Sequence, residues 1–108
     1  MAREFTKNID AEGVTYTFRY PSTKDTIEID LLALKLRNGV TEGVGNAYYY
    51  SQAEALLQTL CVTPTGVDFS TVPTFVVEHL GAEVTEWIAT FRVKLERKES
   101  PVVEGSNA

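Results

Sequence analysis

The chain carries one histidine, His79, and one cysteine, Cys61. Chemistry near neutral pH would have to be built around them. A general base works on a nucleophile within hydrogen-bond reach, oriented by a third group. His79 instead falls along an apolar stripe at helical spacing, which suits a core or half-buried histidine, and no nucleophile-elbow sequence accompanies it. Zinc takes three or four Cys, His or carboxylate ligands, more than one Cys and one His supply. Cys61 reads as a small apolar filler near a helix end. Asp25, Glu28 and Asp30 cluster without the ligand spacing and glycine of a calcium loop, so they read as solvated charges at a helix start. Gly43-x-Gly45 echoes a phosphate loop but lacks the remaining glycines and the Lys-Ser/Thr pair. The residue types therefore point to no catalytic, cofactor-binding or metal-binding residues.

The elements that would position any site follow from periodicity. Phe5–Ile9 and Val14–Tyr20 read as strands, the second with Val14, Tyr16, Phe18 and Tyr20 alternating with Thr15, Thr17 and Arg19. Asp10-Ala11-Glu12-Gly13 supplies the turn of a hairpin. Two strands alone are marginal in water, so helices must cover one face. Ser22 or Thr23 can cap a following helix, with Asp25 in its first turn. Residues 26–37 could alternate as a strand, but the cap, the Leu/Ala/Lys/Arg content and the Asn38-Gly39 stop favour a helix. That helix has two apolar stripes, Ile27/Leu31/Leu34 and Ile29/Leu32/Leu36, so one can meet the core and the other a neighbouring chain. Ala47–Leu60 reads as a helix with Tyr49, Ala53, Leu56 and Leu60 on one face and Tyr48 opposite. Val62–Ser70 reads as a loop. Ser70 or Thr71 then caps a helix with Pro73 in its first turn. Its stripe of Val72, Phe75, Val76, His79 and Leu80 continues in rotated phase as Val84, Trp87, Ile88, Phe91 and Leu95, which predicts a kink or break at Gly81. The expected fold is α+β, an N-terminal β-hairpin packed against three to four α-helices. Residues 1–97 would form one domain and 98–108 a flexible tail.

Composition narrows the function. The chain has 108 residues, 44% of them hydrophobic and 23% charged, enough for one packed core. The net charge is −5, and the bases Lys24, Lys35, Arg37, Arg92, Lys94, Arg97 and Lys98 are interleaved with acids. A phosphate-backbone binder gathers its bases on one face, so nucleic acid is disfavoured, as is a phosphate mimic with a dense acidic face. A lone cysteine fits a reducing compartment. Neither a leader sequence nor a membrane-spanning run is expected. The helices offer more apolar surface than one core needs. Ile29, Leu32 and Leu36, with Tyr48 and with Val93 on the charged side of the last helix, are the expected protein-binding residues.

The order of features is similar to that of a known family. A strand carrying Tyr16-Thr17-Phe18-Arg19-Tyr20 runs into Pro21-Ser22 and Asp25. A helix ending at Gly39 follows, then an Ala/Leu helix, Pro64, and a closing helix with Trp87 and Phe91. Over residues 13–97 this layout resembles the small tail assembly chaperones of long-tailed bacteriophages. The resemblance implies a protein of the host bacterial cytoplasm, absent from the mature virion. It would bind and solubilise the tape-measure protein, help recruit tail-tube protein, and form homo-oligomers, with no cofactor and no catalytic residues. It also implies a longer form made by ribosomal frameshift. A structural tail component, such as a connector or terminator subunit, and a small acidic inhibitor of a host enzyme are alternative readings.

Overall fold

The alternation over Val14–Arg19 forms the central strand of a three-stranded antiparallel sheet. The structure is a computed structural model and describes residues 5–40, 42 and 45–99, the last five by backbone alone. Strand β1 (Thr6–Ala11) pairs with β2 (Val14–Arg19), with Ile9 opposite Tyr16 and Ala11 opposite Val14. Glu12 and Gly13 alone make the turn, both at positive φ (51° and 79°). Two residues in this conformation match the twist of the flanking strands. Thr15 and Thr17 donate their hydroxyls to the side chains of Asp10 and Asn8 at 2.6 and 2.7 Å, tying the outer face of the hairpin across the strands. The inner face presents Ile9, Tyr16 and Phe18, all buried.

Helix α1 (Thr23–Leu36) starts where expected. Ser22 is its N-cap: the Ser22 hydroxyl accepts from the Asp25 amide at 3.1 Å, and the Asp25 carboxylate accepts from the Ser22 amide at 3.0 Å. The same carboxylate takes both Nε and Nη2 of Arg19, at 3.2 and 2.7 Å. Asp25 is only 7% exposed, so it is not the solvated charge expected. It ties the end of β2 to the start of α1. At the other end Asn38 takes φ 56°, and the Asn38 and Gly39 amides bond back to the Lys35 and Leu34 carbonyls, each at 2.9 Å. This Schellman arrangement satisfies carbonyls that the helix end leaves unpaired.

Helix α2 (Asn46–Leu60) runs directly into β3 (Cys61–Thr63), a strand that the Pro- and Gly-containing loop segment concealed. Cys61 pairs opposite Phe18 and Thr63 opposite Thr17, with an irregularity between the two pairs. Three residues are too few for periodicity to register. The loop after β3 is held down by Gln58 of α2, which accepts from the Phe69 amide at 3.1 Å and donates to the Val67 carbonyl at 2.6 Å. Phe69 is thereby pressed beside Tyr16 and Phe18, with ring centres 5.9 and 6.4 Å away.

Helix α3 (Thr74–Glu99) is one helix of 26 residues, unbroken at Gly81. The expected break is corrected by packing. Gly81 is buried, and a Cβ built on it would lie 3.6 Å from the Ala53 Cβ of α2. The small residue brings two helices close and does not end one. The buried residues are Val76, Val77, Leu80 and Val84. His79 is exposed, contrary to expectation, while Val77 takes a core place. Further along α3, Trp87 and Phe91 join Tyr20 and Phe5 in a cluster whose successive ring centres lie 5.0–5.9 Å apart. The expected domain end at 97 falls within α3, and residues 100–108 of the expected tail lie outside the described residues.

Two stability outcomes follow. The Asp25 carboxyl is held at about 2, below its ordinary 3.8, chiefly by the hydrogen bond from Arg19 and against the opposing effect of burial. Its ionised form is therefore favoured by folding. This contribution is complete above about pH 4 and lost as pH falls toward 2. Urea unfolding should show Asp25→Asn less stable by about 2 kcal/mol at pH 7, with the gap to the wild type closing at pH 2–3. An equal gap at both pH values would remove the pair from this role. Gly81→Ala should fit beside Ala53 and raise stability by about 0.5–1 kcal/mol, while Gly81→Leu should lower it by 2 kcal/mol or more, roughly. A tolerated leucine would mean that α2 and α3 are not in close contact there.

Candidate protein-binding surface

Helix α2 packs against both α1 and α3, and a helix with neighbours on two sides must bury two stripes. Ser51 and Ala55 are buried, as are Ala53, Leu57 and Leu60. The stripe expected from sequence is thus split: Ala53 and Leu60 are in the core, Leu56 is half-buried and Tyr49 is 49% exposed. Where the three helices diverge, an open groove of about 580 Å³ remains. Its floor is Tyr49, Gln52, Ala53 and Leu56 of α2. Ile29 of α1 forms one wall, and Gly81, Ala82, Thr85 and Glu86 of α3 form the other. Small residues on α3 leave room there, and Gln52, Thr85 and Glu86 are the polar groups at hand.

The expected protein-binding residues divide on burial. Ile29 is buried with Ala33 in the core, and Leu32 is half-buried against it. They do not form a free second face, and this corrects the assignment. The stripe turned to solvent is the other one, Ile27 and Leu31, at 55% and 62% exposure. Ala33, four residues after Ile29, was the available signal, since a small residue lets helices approach. Leu36, Tyr48 and Val93 are exposed. Val93 lies about 10 Å along α3 from the groove residue Glu86, so the structure does not gather the five residues into one patch. Tyr49, Leu56 and Ala82 line the groove instead; periodicity places Tyr49 and Leu56 on the apolar face of α2 as core, and no sequence pattern singled out Ala82.

Tyr48 also has an internal partner. The Arg37 guanidinium lies 4.6 Å from the centre of its ring. Arg37 donates through Nη1 to Ser51 Oγ at 2.9 Å and to Gln52 Oε1 at 3.3 Å, and through Nε to the Val40 carbonyl at 3.0 Å. Ser51 Oγ in turn donates to the Tyr48 carbonyl at 3.0 Å. One arginine thus joins the end of α1 to the start of α2. On the other flank of α2, the Tyr50 hydroxyl donates to Glu78 of α3, and this bond raises the phenol above its ordinary range. Burial raises Glu54 and the Cys61 thiol, the former with a further push from Asp68.

Among the described residues, no group of three or more His, Cys, Asp or Glu side chains could hold a metal ion. No described helix is long and apolar enough to cross a membrane. The arrangement can accept apolar side chains in the groove and on the outer stripe of α1. Comparison of the chain with protein-family models, with curated proteins and with solved structures gave no match.

Arg37→Ala should lower the unfolding free energy by about 1–3 kcal/mol, because the buried Ser51 hydroxyl loses its donor. Tyr48→Ala should cost less, about 0.5–1 kcal/mol for the lost cation–π contact. Thermal melts that rank the two variants the other way would place the anchor in the tyrosine.

Proposed function

We propose that the protein is a tail assembly chaperone of a long-tailed bacteriophage, which binds and solubilises the tape-measure protein in the host bacterial cytoplasm. The observation that carries this reading is the open apolar groove on α2, with the exposed Ile27/Leu31 stripe as a second apolar surface. A tape-measure protein is long and helical, and its apolar stripes need cover until the tail tube encloses them. An amphipathic helix recognised by a groove inserts side chains at i, i+3, i+4 and i+7. Shallow, mostly apolar contacts are weak singly, but many copies along one client gain by avidity and still release as tube subunits arrive. The layout of residues 13–97 supplies the phage context, and the α+β fold accords with it. Recruitment of tail-tube protein and absence from the finished particle belong to the same reading.

Co-expression with the neighbouring long tail protein tests it. The client should remain soluble and elute with this chain in size exclusion, while purified virions should lack the chain by mass spectrometry. Tyr49→Glu in the groove, and separately the pair Ile27→Ser and Leu31→Ser, should release the client. Both should leave the chain's own stability within about 0.5 kcal/mol, as expected for exposed positions. An insoluble client beside the wild-type chain sinks the proposal.

A further inference from the structure

Among the described residues β1 is an edge strand, since the sheet order is β1-β2-β3. The two-residue turn makes Ala11 and Val14 the hydrogen-bonded pair that closes the hairpin, and bonded pairs alternate back along the ladder. Ala11, Ile9 and Lys7 therefore bond to β2. The amides and carbonyls of Thr6, Asn8 and Asp10 point the other way, and among the described residues no backbone group bonds to them. Helix α3 packs against β1 more than against β2, so it stands beside this open edge. Two hollows lie between strand and helix. One, of about 240 Å³, is at the turn end, between Ala11 and Glu12 of the hairpin and Phe75, Val76 and His79 of α3. The other, of about 340 Å³, lies between Lys7 and the α3 residues Trp87, Thr90 and Lys94. Lys7 and Ala11 are about 13 Å apart along the strand, and His79 and Thr90 about 16 Å apart along the helix. The hollows are thus strung along one cleft.

We infer that an extended peptide segment of a partner protein docks in this cleft as a fourth strand, antiparallel to β1, with a lysine or arginine in the hollow at the turn. Strand addition draws affinity from main-chain hydrogen bonds and specificity from pockets for alternate side chains. Peptide residues opposite Ala11, Ile9 and Lys7 share the inner face of the sheet. The first and last of these, four residues apart, reach the two hollows. Asp10 and Glu12 line the turn hollow, and no lysine or arginine does. Asp10 accepts from Thr15 through one oxygen, and Glu12 is exposed. The exposed Phe75 ring offers apolar cover to the stem of a long basic side chain. At Lys7 the charges balance, since Glu83 and Glu86 offset Lys7 and Lys94, and Trp87 favours an aromatic side chain there. Glu86 also lines the groove, so it stands on the ridge between the two surfaces. A second copy does not fit this edge. Pairing β1 with its own copy about a two-fold axis sets the strands about 4.8 Å apart with both α3 helices on one face, and packed helices need about 8–10 Å.

Fluorescence anisotropy of the full chain with the labelled synthetic peptide Thr-Lys-Thr-Val-Thr-Tyr-Thr is the test. The peptide should bind with a dissociation constant of roughly 100 μM or tighter. Antiparallel pairing sets its lysine opposite Ala11 and its tyrosine opposite Lys7, so the threonines on either side of the valine bond to the edge. N-methylation of those two threonine amides should abolish binding. N-methylation of the valine amide, which points away from β1, should not. Replacing the peptide lysine by glutamate, and separately Glu12→Lys in the protein, should each weaken binding at least about tenfold, with native circular dichroism. Tyr49→Glu in the groove should leave peptide binding unchanged, which separates this surface from the one proposed for the client. No binding at about 1 mM, equal loss from either methylation, or indifference to both charge changes overturns the inference. So does a wild-type dimer in light scattering that Asn8→Pro dissolves, since it would put a second copy on the edge.

Discussion

Burial of the inner face of β2 is the constraint from which the rest of the structure follows. Phe18 is fully buried and Tyr16 nearly so, and three short strands cannot shield them without cover. Three later parts of the chain contribute to that cover. β3 pairs on the open edge of β2 beside Phe18. Gln58 draws Phe69 onto the same aromatic group. α3 reaches back along β1 and closes the far end through Trp87 and Phe91. Each aromatic ring buried this way removes a large apolar area from water, which outweighs the weak ladder energy of strands this short.

Polar anchors decide how the helices meet that core. Asp25 is at once a capping group for α1 and the partner of Arg19 on β2. One carboxylate therefore fixes both where the helix begins and how it leaves the sheet. Arg37 does the corresponding work at the other end of α1, holding Ser51 and Tyr48 of α2. Between these anchors α1 has little freedom to rotate. Ile29 and Ala33 face inward, and Ile27 and Leu31 are left in water.

The apolar surface left over has a structural origin. α2 has neighbours on two sides, and where they diverge it lacks cover over Tyr49 and Leu56. α3 packs closely on α2 through Gly81, and the neighbouring Ala82 is too small to close the groove beside that contact. The groove suits side chains from an apolar helix.

By itself the sequence determined whatever depends on neighbours along the chain. The hairpin was legible because residues alternate over Val14–Tyr20 and Gly13 accepts positive φ. The start of α1 was legible from Ser22 and Asp25, and its end from Asn38-Gly39. The α+β class followed from these. Tertiary structure alone decided what depends on residues distant in sequence. A two-striped helix does not say which stripe is buried, so Ile29 and Leu32 were assigned outward until α2 and the Arg37 anchor set the rotation. Gly81 looked like a break, because only the approach of Ala53 reveals a packing contact. β3 is too short for a period, and Asp25 needed Arg19 beside it to become a buried ion pair. The groove belongs to three helices at once, and no stretch of chain encodes it locally.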